Sequence, residues 1–225
     1  MRPDPRSAAL PAAVLWDMDG TLVDTEPYWI AAEHRLVDAH GGTWSEEHAL
    51  ALVGQDLLVS AGYIREHGGV DLEPEAVVSL LLADVVAQVR QEIPWRPGAR
   101  ELLAALREAG VPCALVTMSW TRLADAVVDA LPAGSFAAVV TGDAVARGKP
   151  HPEPYLTAAA RLGVATVDCV AIEDSPTGTA SAEAAGCRVV VVPHIVAVAA
   201  GPGRTLLPSL LGVTPGGLGD LVLAR

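Results

Sequence analysis

Lysine is almost missing from this chain: of its 15 basic residues fourteen are arginine, and the single lysine is Lys149. Positive charge is short altogether, since 27 acidic residues leave a formal net charge of −12. An acidic chain lacks the long-range attraction for nucleic acid or anionic lipid that a basic one has, so neither partner is expected. It would not steer an anionic substrate either; a phosphate ester would need a local cation, and a bound metal is the obvious one. Cysteine is scarce too. Cys113, Cys169 and Cys187 are odd in number and show no CxxC spacing, which reads as small buried apolar residues in a reducing cytoplasm. Long hydrophobic runs are absent. The longest apolar helical stretch, Ala76 to Val89, carries Asp84 and is too short to span a bilayer. Met1 to Ala13 contains three prolines and no continuous apolar stretch, so it does not read as a signal peptide. The expectation is a cytoplasmic protein without a membrane partner, a monomer or small homo-oligomer.

What is present is ample apolar material: 51% of 225 residues is enough to bury a substantial core. Ala13 to Trp16 reads as a short buried strand ending at Asp17. Residues 27–93 then show helical periodicity, with helices expected over Trp29 to Ala39, Glu46 to Val53, Asp56 to Glu66 and Pro74 to Gln91. Gly41-Gly42 and Gly68-Gly69 punctuate them. From Arg96 the pattern changes. Strands expected at Val111 to Thr117, Ala137 to Thr141, Val167 to Ile172 and Val189 to Val192 alternate with helices over Pro97 to Ala109, Thr121 to Leu131, Glu153 to Leu162 and Thr177 to Ala185. Such alternation implies βαβ units and a parallel sheet. The division expected is an α/β core of residues 1–26 and 94–225 interrupted by a helical unit, 27–93. The tail from Ala199 is rich in Gly, Pro and Leu, and a short helix is placed near Leu206 to Leu211.

Ligands of parallel α/β sheets bind beyond the carboxyl ends of the strands. The residues found there are Asp17 to Thr21, Thr117 to Ser119, Gly142-Asp143 and Glu173 to Ser175, with Lys149 close by in sequence. Asp17 and Asp19, two apart directly after the strand, lead into a turn at Gly20 that also reads as an ordinary Asp-Gly turn. Glu173-Asp174 reads equally as the acidic start of a helix with Ser175 as N-cap and Pro176 at N1. Clustered carboxylates repel unless a cation binds, and Mg²⁺ takes one or two of them plus substrate phosphate. Thr117 and Ser119 offer hydroxyls at a strand-to-helix junction, where a phosphate fits and where Ser and Thr also cap helices. Lys149 can neutralise charge on a phosphoryl group, and a compact ammonium differs from a planar guanidinium at a tight site.

In order, VLWDMDGTLVDTEP (Val14 to Pro27), ALVTMS (Ala114 to Ser119), GKPHPEPY (Gly148 to Tyr155) and IEDSPTG (Ile172 to Gly178) resemble the haloacid dehalogenase superfamily, in the branch of phosphoglycolate phosphatases and beta-phosphoglucomutases. The resemblance spans roughly Val14 to Val192. It implies a Rossmann-like parallel sheet with helices on both faces and a helical cap domain inserted after the first strand. It implies that Asp17 attacks phosphorus and that Asp19 protonates the leaving oxygen and then activates water. Mg²⁺ would be held by Asp17, the backbone carbonyl of Asp19 and Asp174, with Glu173 as a direct or outer helper. Thr117 and Lys149 would hold the phosphoryl oxygens. Gly20, Thr21, Met118 and Ser119 would line the substrate site, with Trp29 and Leu57 reaching it from the cap.

The same resemblance narrows the activity. Dehalogenases of the superfamily lack the second Asp, which is present here as Asp19. Phosphonate-cleaving relatives use a cap lysine, and residues 27–93 contain none. Mutases usually carry Val, His and Arg where Thr21, Trp29 and Leu57 stand, and that Arg grips a second phosphate; Arg65 is the one substitute at hand. The function expected is a Mg²⁺-dependent phosphatase acting on a small phosphorylated metabolite through an aspartyl-phosphate. A sugar-phosphate mutase and a non-catalytic binding protein of the same fold are the alternatives. Candidate cap contacts lie in Gly54 to Tyr63, among them Leu57, Leu58 and Val59, which read equally as ordinary packing. Trp120 is a further candidate at the entrance.

Overall fold

The computed structural model describes residues 10–223, so the N-terminal stretch read as lacking a signal peptide lies largely outside the described residues. The strand β1, Ala13–Trp16, is buried along its whole length. A strand buried on both faces belongs in the middle of a parallel sheet, and β1 lies between β2 (Cys113–Val116) and β4 (Cys169–Glu173). With β3 (Ala138–Val140), β5 (Arg188–Val191) and β6 (Arg204–Leu206) the sheet has the order β3-β2-β1-β4-β5-β6, parallel throughout. The chain therefore winds outward from β1 in one direction and then, from β4, in the other. The crevice at that reversal opens beyond the carboxyl ends of β1 and β4.

Alternation along the strands feeds two cores. Val14, Trp16, Leu115 and Ile172 face one side, together with α5 (Ala99–Glu108) and α6 (Thr121–Val128). Ala13, Leu15, Ala114 and Ala171 face the other, against Tyr155, Ala158 and Ala159 of α7 (Glu153–Leu162) and Ala182 of α8 (Pro176–Ala184). This is the α/β, Rossmann-like architecture with helices on both faces.

Between β1 and α5 the chain makes four helices: α1 (Glu26–Ala39), α2 (Glu46–Leu52), α3 (Leu57–Gly68) and α4 (Pro74–Gln91). Their ends follow local chemistry. Ser45 and His48 form a reciprocal capping box on α2, and the Asp56 carboxylate accepts from the N–H groups of Leu58 and Val59 at the start of α3. Helix α4 buries Val77, Val78, Leu81, Leu82, Val85, Val86 and Val89, and it contacts α1 and α3 on one side and α6 of the sheet unit on the other.

Three expectations need correction. The tail holds no helix at Leu206 to Leu211; Arg204–Leu206 is the sixth strand, and α9 runs Pro215–Leu223. The residues before β4, Thr166–Asp168, form a single 3₁₀ turn and not strand. Glu173 lies within β4 and not beyond it. The three cysteines are free and buried, and burial pushes their thiols up to about 12, about 11 and about 12 for Cys113, Cys169 and Cys187. They are protonated packing residues. No described helix is long and apolar enough to cross a membrane.

Candidate active site

The sheet pairing that holds β1 continues one residue beyond it: the Asp17 N–H donates to the Ile172 carbonyl at 3.0 Å. Asp17 is thereby fixed at the sheet edge beside β4. The chain then turns back sharply, with the Met18 carbonyl accepting from the N–H groups of Leu22 (2.8 Å) and Val23 (3.0 Å). Gly20 makes the turn with φ +83°, and a Cβ there would stand 2.0 Å from Asp174 Oδ2. Both the backbone angle and the close approach demand glycine.

Lys149 reaches this edge from the loop before α7. Its Nζ donates to Asp17 Oδ1 and to Glu173 Oε1, each at 2.7 Å, with its side chain 5% exposed. Burial alone would lower its pKa, but the carboxylates of Asp17 and Glu173 outweigh that and hold it above the ordinary lysine value. Tyr155, whose ring lies 5.2 Å beneath Nζ, donates its hydroxyl to the same Glu173 oxygen. Glu173 is completely buried, and Gly178 of α8 makes room for it: a Cβ there would fall 2.0 Å from Glu173 Oε2.

Asp17, Glu173 and Asp174 bring ligand oxygens within 4.8 Å of one another. One ammonium faces three carboxylates, and Asp17 Oδ2 is buried without a hydrogen-bond partner. Burial, and then the neighbouring charge of Asp17, raise the pKa values of Glu173 and Asp174. An orphaned carboxylate oxygen within an all-oxygen donor set fits a hard divalent cation such as Mg²⁺. Glu173 is the least available donor, since Lys149 and Tyr155 occupy its Oε1.

The Asp19 carboxyl points away from this cluster. Thr25 donates to its Oδ1, and Thr117 (3.1 Å) and Ser119 (2.8 Å) donate to its Oδ2. Burial raises its pKa, opposed first by the Thr25 hydrogen bond and aided by Asp17. Thr25 is the N-cap residue of α1, so Asp19 is tied to the start of the helical insertion.

A cavity of about 280 Å³ covers the edge. Asp17, Asp19, Gly20, Thr117, Met118, Ser119, Lys149 and Asp174 line its floor, and Trp29 and Leu57 line it from the insertion. Thr21 does not: it is buried behind the turn. Leu58 and Val59 are exposed at 41% and 59%, and it is Gly54, Gln55 and Ser60 that accompany Leu57 at the cavity. Trp120 packs against the core, and Asp143 accepts from the N–H and hydroxyl of Thr121 at the start of α6. Arg65 is not among the lining residues, and Arg35 is paired with Asp84 at 2.6 Å.

Sequence reasoning assigned no role to Tyr155, Thr25, Glu26, Glu33 or His194. Tyr155, Thr25 and Glu26 sit inside stretches that carry the resemblance, so position was a signal for them. Glu33 lines the cavity from α1, where one Glu among helix-surface residues looks like solvent-facing polarity. Burial, then repulsion from Asp19 and Glu33, pushes Glu26 up to about 8. Burial pushes Glu33 up to about 7 against the hydrogen bond from Trp44.

A doubly wound parallel sheet with a buried ammonium–carboxylate cluster at its topological switch point defines an α/β class that places its chemistry at the carboxyl edge. The chain belongs to the haloacid dehalogenase-like hydrolases, whose family model matches residues 11–186. Hexitol phosphatase B of Escherichia coli K12 is 34% identical over 185 residues, covering 80% of this chain and 83% of that protein. Phosphoglycolate phosphatase of Xylella fastidiosa is 32% identical over 190 residues, covering 81% and 80%. The crystal structure of CbbY from Rhodobacter sphaeroides in complex with phosphate superposes with a TM-score of 0.84 at 29% identity, over 93% of this chain and 99% of that one.

Proposed function

We propose that the chain is a Mg²⁺-dependent phosphoric monoester hydrolase that transfers the phosphoryl group of a small sugar or polyol phosphate to Asp17 and then to water. One observation carries this reading: Asp17 is clamped by Lys149 through Oδ1 while its other oxygen is buried without a hydrogen-bond partner. A carboxylate held in one orientation is a positioned nucleophile. The phosphatase names of the relatives support the same reaction.

In the first step Asp17 bonds to phosphorus as the ester P–O bond breaks. Asp19, whose pKa burial raises, supplies a proton to the departing alkoxide. In the second step Asp19 takes a proton from water as the water oxygen bonds to phosphorus, and Asp17 is released with inorganic phosphate. Lys149 offsets charge on the phosphoryl oxygens. Thr117 joins it once its hydroxyl leaves Asp19, to which it is bonded here. Asp17, Asp174 and the Asp19 carbonyl would hold Mg²⁺, which when bound neutralises phosphoryl charge. The turn's own pairing, Val23 N–H to Met18 and Gly20 N–H to Val23, leaves that carbonyl out.

Residues 27–93 act as a cap over this floor. Their two links run side by side, with Asp24 N–H donating to the Pro94 carbonyl (2.8 Å) and Arg96 N–H to the Leu22 carbonyl (3.0 Å). A paired link is a natural hinge for closure that excludes water. Free thiols suit a reducing cytoplasm.

The test is phosphate release from phosphorylated metabolites with Mg²⁺, beside Asp17→Asn and an EDTA control. Release that both abolish supports the reading. Release undiminished in Asp17→Asn removes the nucleophile. No release from any compound returns weight to a mutase or a binding protein.

A further inference from the structure

The floor of the cavity is accounted for by phosphoryl transfer, but its roof is not. The roof presents two carboxyl groups, Glu26 and Glu33, among Trp29, Leu52, Leu57 and Leu81. Glu33 is 4% exposed, and burying a carboxyl in apolar surroundings costs stability unless something is gained. It is also fixed in place: Trp44 Nε1 donates to Glu33 Oε2 at 3.1 Å. Among the described residues no hydrogen bond reaches Oε1, the second oxygen. That oxygen keeps some accessible surface.

The cations around the cavity are equally informative. Among the described residues that line it, Lys149 is the one Lys or Arg, and it is committed to Asp17 and Glu173 on the floor; the lining His194 is paired with Asp24 at 2.8 Å. A substrate whose far end carried a carboxylate or a second phosphate would set that charge against two carboxyl groups with no free Lys or Arg among the described lining residues to pair it. An unpaired desolvated charge is among the most expensive things a site can accept. A hydroxyl-bearing tail meets the opposite situation, since its O–H groups donate to carboxyl oxygens, and charge-assisted acceptors are the stronger ones.

We propose that Glu33, oriented by Trp44 and flanked by Glu26, is the specificity-determining acceptor for hydroxyl groups on the substrate's leaving group, and that this acidic roof excludes esters with a second anionic group. The substrate class is then a neutral polyhydroxylated monophosphate. This rests on the phosphatase reading above.

The experiment compares kcat/KM at pH 8 with Mg²⁺ for sorbitol 6-phosphate, phosphoglycolate, fructose 1,6-bisphosphate and p-nitrophenyl phosphate, in the wild type and in Glu33→Gln. Glutamine keeps an oxygen acceptor for Trp44 and replaces the other carboxylate oxygen, the one without a hydrogen bond, by an uncharged amide nitrogen. The wild type should favour sorbitol 6-phosphate over both dianionic-tail or carboxylate-bearing esters by at least about tenfold. Glu33→Gln should lower kcat/KM for sorbitol 6-phosphate roughly ten- to a hundredfold, mostly through KM, and leave p-nitrophenyl phosphate within about twofold. Trp44→Phe should move selectivity the same way by less. Equal loss on all four compounds would make Glu33 merely structural and overturn the proposal. So would unchanged sorbitol 6-phosphate kinetics, or a wild type that prefers phosphoglycolate or the bisphosphate. If p-nitrophenyl phosphate is cleaved while these reversals occur, the phosphatase reading survives alone. If the wild type cleaves none of the four, both readings fall.

Discussion

Lys149 is the residue on which the site's electrostatics turn. It is buried against two carboxylates at 2.7 Å each, so removing it strands both. Lys149→Met should cost about 3–5 kcal/mol of stability, the usual penalty for breaking a buried ion pair from one side. It should also abolish turnover. Lys149→Arg should fail to restore activity, because a planar fork cannot occupy the place of a compact ammonium between those oxygens. Thermal melts and phosphate release check both statements. Glu33 gives a pH-dependent counterpart. Its carboxyl pKa is raised from 4.5 to about 7, so the folded state binds its proton more tightly than the unfolded chain does. Its contribution to stability is fully present below pH 4.5 and is lost as pH rises towards 7. Glu33→Gln should therefore raise Tm at pH 8 by a few degrees and leave it nearly unchanged at pH 4.5, on the order of ΔΔG 1–3 kcal/mol. A Tm gain independent of pH would contradict the assigned shift.

At the scale of elements, the start of α8 shows how a helix end serves the site. Ser175 accepts from Gly178 N–H at 3.1 Å, Pro176 follows at the first helical position, and Gly178 clears space for Glu173. Gly178→Ala should be far more damaging than the ordinary benefit of alanine in a helix suggests, since its Cβ would collide with a buried carboxylate. We expect a loss of at least about 2 kcal/mol by denaturant unfolding, with activity falling alongside. Ser175→Ala should cost about 1 kcal/mol. The edge strand β6 is held differently: Arg204 donates through Nε and Nη2 to both carboxylate oxygens of Glu183 on α8, a bidentate pair between edge strand and helix.

At the scale of the whole molecule, the insertion and the sheet unit share the cavity and the Asp19–Thr25 contact. The start of α1 and the Asp19 carboxyl are thus linked through one hydrogen bond. Cation binding should be visible without any turnover. Millimolar Mg²⁺ should raise the Tm of the wild type by a few degrees, and Asp174→Asn should remove most of that rise. An equal rise in the variant would mean that the cation binds elsewhere.

By itself the amino-acid sequence determined the parallel α/β alternation, the four-helix insertion and the floor of the site. Each of these is written locally: strand periodicity ending at a carboxylate, helical periodicity between Gly pairs, and ordered stretches around Asp17, Thr117, Lys149 and Asp174. The tail was not legible, because a three-residue edge strand, Arg204–Leu206, is too short to show a period and gains its identity from pairing with β5. Nor was the roof. A glutamate on α1 carries no local mark of burial, and only the approach of Trp44 from the following turn and the closing of the cavity over the sheet edge turn Glu33 inward. Charges at strand ends declare themselves because the backbone fixes where they must point. The direction of a side chain on a helix is decided by what packs against it, and that is a tertiary fact.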